Sequence, residues 1–587
     1  MWQVFLTLSV ITVVASFLYI LIHRRDKKAK VSPVNVILIA VFVANTLMFV
    51  PVYYTAFNID TGFSLIFKTI LVSLHHAIRL FIVDSDFEVI KDIAPSADTF
   101  LYNAYTSFAA ILFVLSPAMT FGFIFSFFKN ISAHRRYFAN YNKNVYIFSE
   151  FNERSIELAS SIKAKFHNVA IVFTNFDEDS MDSHKLQERA RSFDAILFNK
   201  DILALNFNHH SPKRDINFLI LGKDEDRNIK YALGIIEKYN NRRNTQLYVL
   251  SNEVEGELLL NAAHPEEIKV RRISNIRSMI YNILQFNGEN LFKDALPNTS
   301  SSEKDISAVV VGLGKYGGEM TRSLAWFCQM EGYRVEIDAF DIDKCAEETF
   351  VSSCPELMDQ EHNGKFDDPG ESRYKISVHS SIDVDSITFD KEIRSLTKTT
   401  YVFVSLGDDE KNIRTSIKLR MLFEQIGIKP RIHAVVESSD RKKALEGITN
   451  YSGQAYDVEY VGATNEMYSY DNIINSDLER EALNRHLCWG EEPEFWKFEY
   501  NYRSSMASAL HKRMKKACGI PGISKKPSER TEEEKQALRL MEHRRWNAYM
   551  RSQGYVYNEK RNNLAKTHHC LVTFDLLSQK DKEKDDD

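Results

Sequence analysis

Three glycines in the middle of the chain have the spacing of a loop that lets its backbone approach a phosphate group. They follow an apolar segment and precede a helix-forming stretch, in the sequence Val309-Val310-Val311-Gly312-Leu313-Gly314-Lys315-Tyr316-Gly317. Such a strand–turn–helix segment uses glycines for the tight bend, for close approach of the ligand and for packing of the helix. Asp341 and Asp343 end the next predicted strand, where a carboxylate can accept a ribose hydroxyl.

These positions form a candidate nucleotide site. Its residues are Gly312, Gly314, Lys315, Tyr316, Gly317, Asp341, Asp343 and Asp408. The expected ligand is a nucleotide or dinucleotide of the NAD, ADP-ribose or cyclic-nucleotide type, bound as a signal and not as a catalytic cofactor. The alternative is a fold that keeps its glycines only for the tight turn and for helix packing, without a ligand.

A second set of residues that could bind a ligand lies near the C-terminus. Aromatic rings offer stacking surfaces there, and basic side chains beside them can hold phosphate. The candidates are Arg544, Arg545, Trp546, Tyr555, Arg561 and Lys566. The alternative is structural, because Trp546 and Leu571-Val572 can form the core of so small a domain. His568 and His569 are adjacent and lack further ligands at metal-site spacing, so we expect no metal.

Motifs of common enzyme classes are missing from the sequence. It contains no G-x-S-x-G turn, no H-E-x-x-H motif and no P-loop lysine, so we expect a protein that is not an enzyme. The six cysteines are scattered without C-x-x-C pairs, which indicates a reducing cytosolic environment without disulfides. The net charge of −5 gives no general basis for binding nucleic acid.

The 587-residue chain is long enough for several domains, and its N-terminal part is apolar in long blocks. Residues 2–22, 33–57 and 104–128 are each long enough to span a bilayer. Basic clusters follow the first and the last of these blocks and favour the cytosolic side. The N-terminus is therefore expected outside, and an even number of crossings must separate the two basic clusters.

The segment at 63–83 is the apolar block least suited to a crossing. It carries Lys68, His75 and Arg79, which fall on nearly one face of a helix because of their spacing. Such a stripe belongs either to an amphipathic or re-entrant helix at the headgroups or to a pore wall that faces water. We predict three crossings without 63–83, and the stripe supplies the pore candidates. No potassium-filter sequence precedes the last span, so the sequence assigns no ion.

From residue 144 onward, short β-branched runs alternate with amphipathic helical stretches, which is typical of a parallel sheet with crossover helices. Two such domains are predicted, at 141–300 and 303–500. The first turn of the earlier domain carries Glu150 and Glu153 instead of glycines, so this degenerate copy is expected to have lost its phosphate site. The strand-end segments at 221–228 and 405–412 resemble each other, which indicates an internal duplication.

Residues 144–290 and 305–440 resemble the TrkA-N type of nucleotide-binding domain, which regulates potassium conductance. The resemblance rests on the strand order, the glycine turn, the strand end Asp341-Ile342-Asp343 and the two matching strand-end segments. In that family Rossmann-like domains pair, often around a gating ring, and ligand binding acts on pore helices. The resemblance therefore implies a homo-oligomer whose soluble domains sense a nucleotide.

A basic linker is predicted at 501–530, and the module that follows at 531–587 resembles the small repeat domain of ryanodine receptors (RyR). The resemblance rests on Trp546, Gly554-Tyr555, Arg561 and Cys570-Leu571-Val572, which recur in the order of that family. It implies a small, mainly helical domain.

The expected fold class is an α-helical membrane region at 1–140, followed by two α/β Rossmann-like doubly wound domains and a small, mainly α C-terminal domain. The expected function is a nucleotide-gated channel or pore-forming effector, multi-pass in a bacterial inner membrane with cytoplasmic soluble domains. This combination of parts resembles proteins proposed for nucleotide-signalled antiphage defence. The alternative is a non-conducting regulatory or scaffold protein that assembles on the membrane when nucleotide binds.

Overall fold

A computed structural model describes residues 1–23, 33–57, 59, 61–82, 84, 87–176, 183–252, 254–263, 265–299, 301–358 and 373–585. Side chains are described at these positions except at 20–23, 33–35, 121–132, 183–184, 254 and 585. The chain divides into two units, Met1–Arg136 and Tyr137–Asp587. The division lies close to the boundary predicted at residue 140.

Apolar sequence forms the long helices of the first unit. They are α1 (Trp2–His23), α2 (Pro33–Ala56), α3 (Gly62–Phe81), the short α4 (Glu88–Ile93) and α5 (Thr99–Ala139). By length and composition, four described segments could cross a membrane: Trp2–Tyr19, Val36–Ala56, Gly62–Phe81 and Thr99–Thr120. Three of these overlap the predicted spans, and Gly62–Phe81 is the block that we predict not to cross. The number of crossings therefore stays a prediction.

Helix α3 buries small side chains and exposes large ones. Thr69, Ser73 and Ala77 are buried, and α3 packs along α2. Its exposed large apolar side chains include Phe63, Ile66, Phe67, Ile70, Leu71 and Leu74. Small residues at a helix contact and large apolar residues outside are typical of helices that pack within lipid. Among its described residues, α3 therefore packs small side chains inward and leaves large apolar side chains outside.

The pore candidates lie on the more accessible side of α3. Lys68 and His75 are exposed. Arg79 forms an ion pair with Asp84, in which the guanidinium nitrogen lies 3.0 Å from the carboxylate oxygen. The three candidates therefore lie along one stripe of the helix, as their spacing predicts, and Arg79 is paired with the Asp84 carboxylate.

An external N-terminus is testable by cysteine labelling. A membrane-impermeant thiol reagent added to intact cells is expected to label Trp2→Cys and to spare Arg135→Cys, because the basic cluster near residue 135 should face the cytosol. The wild-type chain is the control, since its six cysteines all lie beyond residue 327 in the predicted cytosolic part. Protection of position 2 together with labelling of position 135 would reverse the orientation.

Buried β-branched and aromatic residues form the strands of the first α/β domain. Its elements are β1 (Asn144–Phe148), α6 (Glu153–Lys165), β2 (Val169–Phe173), α7 (Ser183–Ser192), β3 (Ile196–Leu197), β4 (Ile216–Ile220), α8 (Glu225–Tyr239), β5 (Thr245–Leu250), α9 (Val254–Ala262), β6 (Lys269–Ile273) and α10 (Asn275–Lys293). The strands are parallel, in the order β3-β2-β1-β4-β5-β6. This is the doubly wound order of Rossmann-like folds.

The second α/β domain repeats this order. Its elements are β7 (Leu296–Pro297), β8 (Lys304–Val311), α11 (Lys315–Phe327), β9 (Tyr333–Phe340), α12 (Ala346–Ser353), α13 (Pro355–Met358), β10 (Tyr374–His379), α14 (Ile387–Ser395), β11 (Tyr401–Val404), α15 (Asp409–Gln425), β12 (Arg431–Val435), α16 (Ser439–Leu445) and β13 (Val458–Val461). Parallel strands run β10-β9-β8-β11-β12-β13, and β7 adds an antiparallel pair with β8. Ligands of such sheets bind at the carboxyl ends of the strands where the order reverses, here β8 and β11.

The elements after β13 include a long helix where we predicted a linker at 501–530. They are α17 (Thr464–Met467), α18 (Tyr470–Ile473), α19 (Asp477–His486), α20 (Glu492–Lys497), α21 (Glu499–Ala517), α22 (Glu532–Ser552), β14 (Val556–Tyr557), β15 (Thr567–His568) and α23 (Gln579–Lys582). Much of 501–530 belongs to α21, where Leu510, His511 and Lys515 are fully buried. The basic residues suggest a solvated segment, but Lys515 is paired with Glu542 of α22 at 3.1 Å. The C-terminal module therefore packs on the α/β domains through α21.

Candidate functional site

Two of the three glycines are required by the turn itself. Gly312 has a φ of +88°, and a Cβ there would lie 2.4 Å from the Ser405 carbonyl oxygen. A Cβ on Gly317 would lie 1.8 Å from the Gly312 carbonyl oxygen. Gly312 therefore makes the bend after β8, and Gly317 lets α11 approach that bend, whether or not a ligand binds.

Gly314 has no such structural reason to be glycine. It is the N-cap of α11, it is exposed, and its φ is −67°. A Cβ built on it meets no heavy atom of the described residues within 4 Å. As glycine it also supplies no side-chain cap to this end of the helix, where a phosphate can accept from backbone N–H groups. Turn geometry and packing thus explain Gly312 and Gly317, but within the described part of the chain they do not explain Gly314.

Asp341 joins the glycine turn to the end of β9. Its two carboxylate oxygens accept the backbone N–H of Leu313 (2.6 Å) and of Asp343 (2.8 Å). Asp343 is exposed, and its carboxylate accepts the Cys345 N–H at 2.9 Å. Because a carboxylate oxygen accepts more than one hydrogen bond, Asp341 can hold the turn and still receive a ribose hydroxyl.

The structure gives Asp408 a local role. Its side chain is the N-cap of α15 and accepts the Lys411 N–H at 2.9 Å. The neighbouring Asp409 carboxylate accepts the N–H groups of Glu437 (2.9 Å) and Ser438 (3.1 Å) after β12. Asp408 is exposed at the crevice, but helix capping already explains its presence.

Asn412 is a structural residue of the site that the sequence analysis did not select. Its side chain connects the loop after β11 to the end of β12. It is buried, its Oδ1 accepts the Leu406 N–H at 2.6 Å, and its Nδ2 donates to the Val435 carbonyl at 2.9 Å. Asn228 does the same in the first domain, between the Gly222 N–H (3.0 Å) and the Leu250 carbonyl (2.9 Å). The signal was the Asp-x-x-x-Asn spacing that both strand ends share.

Lys315 and Tyr316 begin α11, and their side chains have different surroundings. Lys315 is exposed at the mouth of the turn. The Tyr316 hydroxyl donates to the Glu437 carboxylate (3.1 Å) and accepts from the Asn275 amide (3.2 Å). Burial raises the pKa of Tyr316, so the hydroxyl stays protonated. Tyr316 therefore links the turn to α10 and to the segment after β12, and Lys315 is exposed at the start of α11.

Side chains occupy the corresponding turn of the first domain. The Glu150 carboxylate lies 3.3 Å from the Arg227 guanidinium, and Asn152 caps α6 by accepting the Ser155 N–H at 2.9 Å. A Cβ on Gly222 would lie 3.0 Å from the Glu150 carboxylate, so this carboxylate stands against the strand-end loop. Its negative charge at the start of α6 disfavours a phosphate there.

Three of the six C-terminal candidates are engaged in contacts within the protein. Arg545 is 2% exposed and its guanidinium lies 2.8 Å from the Glu542 carboxylate, so it belongs to the core. Arg544 forms an ion pair with Glu331 of the second α/β domain at 3.3 Å. Tyr555 is buried beside Tyr500, with ring centroids 6.0 Å apart. These three residues thus stabilise the packing of the module.

The other three C-terminal candidates are more accessible. Arg561 and Lys566 are exposed, and the Lys566 ammonium donates to the Gln553 carbonyl at 2.9 Å. Trp546 is half-buried, and its ring meets the His568 imidazole edge-on at 4.9 Å. Arg561 and Lys566 are therefore the most accessible of the six candidates, whereas Trp546 and Arg544 are each partly exposed.

Possible metal ligands occur at the end of the module. Ligand atoms of His568, His569 and Cys570 lie within 4.8 Å of one another. Burial lowers the pKa of His568 to about 4, and its Nδ1 accepts the Cys570 N–H at 3.1 Å. Because the residues are consecutive, chain connectivity alone explains their proximity, and one nitrogen of His568 is already engaged.

Comparison with known proteins adds little to this geometry. No protein-family profile matches the chain, and no curated protein sequence matches it. Among solved structures, a dipicolinate synthase polypeptide from Bacillus halodurans matches with 12% identity and a TM-score of 0.18, over 49% of this chain and 88% of that protein. The strand order and the glycine turn therefore carry the assignment. The chain contains two Rossmann-like α/β domains, which follow in sequence a group of helices apolar enough to cross a membrane.

Proposed function

We propose that the protein is a membrane channel or pore-forming effector gated by a nucleotide that binds the glycine turn of the second α/β domain. In this proposal the N-terminal helices cross a bacterial inner membrane and the α/β domains are cytoplasmic. The ligand is of the NAD, ADP-ribose or cyclic-nucleotide type, and the active form is a homo-oligomer. The C-terminal module, which resembles the RyR repeat domain, contributes to sensing and catalyses no reaction.

The observation that carries the proposal is the open space at Gly314. The turn of the first domain holds the Glu150 carboxylate, whereas in the second domain α11 begins without a side-chain cap beside Asp341. A phosphate placed there would meet the positive end of the helix dipole and the Lys315 side chain. An exposed binding turn in a chain that also carries apolar spanning helices suits a sensor better than a hydride-transfer enzyme.

Current recording on the full chain tests the proposal. Purified protein in a planar bilayer is expected to change its conductance when NAD, ADP-ribose or cyclic AMP is added on the side of the soluble domains. Gly314→Val should abolish the response while leaving the protein folded, because its side chain fills the phosphate position and its Cβ meets no described protein atom within 4 Å. An unchanged response in this variant would place the binding site elsewhere.

A non-conducting scaffold would give a different result. Nucleotide would then change the oligomeric mass of detergent-solubilised protein without any current across the bilayer. Neither a current nor a mass change with any of the three nucleotides would overturn both forms of the proposal.

The stripe on α3 predicts the charge selectivity of the pore. If Lys68, His75 and Arg79 line it, the wall is basic, and Lys68→Gln with Arg79→Gln should shift the reversal potential toward cation permeation in an asymmetric salt gradient. Lys91→Gln, an exposed position on α4, is the matched control and should leave the reversal potential unchanged. A fixed reversal potential in the double variant would move the pore to α2 and α5.

A further inference from the structure

A cavity of about 850 Å³ lies away from the glycine turn, between the edge strand of the first sheet and the helices α20 and α21. Residues from β6, α10 and these later helices line it. The volume is within the range of small-molecule sites, roughly 300–1,000 Å³. Its lining comes from segments far apart in sequence, so no single motif predicts it.

Buried guanidinium groups form one wall of the cavity. The Arg272 side chain is only 4% exposed, and its guanidinium lies 3.1 Å from Glu499 and 3.4 Å from Glu257. Arg503 contacts the same two carboxylates, at 2.6 Å and 3.3 Å. Bidentate donors of this kind match the oxygens of a phosphate.

The same ion-pair network extends to the second α/β domain. Arg277 lies 3.3 Å from Glu319 of α11 and 3.9 Å from Glu499, and Arg322 lies 3.5 Å from Glu319. Arg322 and Glu319 lie outside the lining of the cavity, and among the residues that do line it six are basic and five are acidic, so the lining has a small net positive charge. Because buried charge is costly without a counter-charge, an anion entering the cavity would stabilise the network.

Flat side chains, those of Arg271, Trp496 and Tyr502, line another part of the cavity. The Arg271 guanidinium lies over the rings of Tyr248 (4.9 Å) and Trp496 (5.2 Å). Trp496 is half-buried, and Tyr502 lies beside it with ring centroids 6.3 Å apart. An aromatic base can stack on such a surface, and stacking of this kind contributes about 1–3 kcal/mol.

We infer that this cavity binds a nucleoside phosphate, with the phosphate on the arginines, the ribose hydroxyls on the carboxylates and the base against Trp496. A ligand of this class needs oxyanion donors, hydroxyl acceptors and an aromatic surface together, and the cavity supplies all three. The inference is independent of the proposed function, because none of these residues belongs to the glycine turn.

Calorimetry on the full chain in detergent tests the inference, with AMP as the probe. The background is Gly314→Val, in which the turn is expected not to bind. AMP should bind there, whereas adenosine, which lacks the phosphate, and ribose 5-phosphate, which lacks the base, should each bind at least about tenfold more weakly. Adding Arg503→Gln should weaken AMP binding by about tenfold or more. Lys516→Gln, exposed near the end of the same helix, is the control and should have no effect.

A second variant protects the test against misfolding. If Arg503→Gln does not fold, Trp496→Leu keeps an apolar side chain at the cavity and should still weaken AMP relative to ribose 5-phosphate. AMP binding to the wild type but not to Gly314→Val would overturn the cavity site and leave the glycine turn in place. Equal AMP binding by both, lost with Arg503→Gln, would support the cavity and count against AMP at the turn. No AMP binding by either protein would overturn the cavity site.

Discussion

Gly317→Ala is expected to destabilise the second α/β domain strongly. The added methyl group would lie 1.8 Å from the Gly312 carbonyl oxygen, which is backbone and cannot turn away as a side chain can. Relief requires α11 to move off β8, and this helix carries buried residues along most of its length. We expect a loss of about 4 kcal/mol or more, which is a shift of roughly 10 °C in the melting temperature or a failure to fold.

Gly314→Ala is the matched control for this prediction. It lies three residues earlier in the same turn, has a negative φ and has open space at the Cβ position. Its melting temperature should stay within about 2 °C of the wild type, which corresponds to roughly 0.5 kcal/mol. Equal losses in both variants would mean that the turn does not have the described geometry. Melting is followed by circular dichroism of the full chain in detergent.

The α/β domains could be predicted from the sequence because each strand and turn is determined by residues that are adjacent in the chain. A valine run before Gly312 is a buried strand followed by a positive-φ turn, and both features are visible in adjacent residues. The doubly wound order follows from alternating strands and helices, since right-handed crossovers leave few alternatives. The similar segments at 221–228 and 405–412, from which we predict a duplication, each contain one buried asparagine, Asn228 or Asn412, whose side chain connects two strand ends.

Ion pairs between residues far apart in the chain explain why the linker at 501–530 was predicted wrongly. The charges of Lys512, Arg513, Lys515 and Lys516 suggest a solvated linker, but the fold brings the Glu542 carboxylate to Lys515 and the Glu481 carboxylate to Arg513. Arg545 was a candidate phosphate ligand, yet its partner is one helical turn away and both are buried. A basic residue near an aromatic one does not reveal whether its counter-charge is a ligand or a carboxylate of the same chain.

Glu542→Gln is expected to be among the most destabilising substitutions in the C-terminal module. The carboxylate lies 3.1 Å from the Lys515 ammonium and 2.8 Å from the Arg545 guanidinium, and all three residues are almost fully buried. Removing its charge leaves two buried cations without their shared counter-charge, which costs about 3–5 kcal/mol. Glu532→Gln on the same helix is the control: its ion pair with Lys535 is 76% exposed on the carboxylate side and should contribute less than about 1 kcal/mol.

The effect of Glu542→Gln should depend on pH in a defined direction. Burial alone would raise the pKa of Glu542, but Arg545, Lys515 and Arg485 together hold it well below its ordinary value. A carboxyl group with a depressed folded-state pKa stabilises the protein fully above the unfolded pKa, about 4.3, and loses that contribution as the pH falls through the folded value. The difference in melting temperature between wild type and variant should therefore be constant from pH 7 to about pH 5 and narrow only in stronger acid. A difference that already narrows between pH 7 and pH 6 would show that the buried carboxylate does not have these cations as partners.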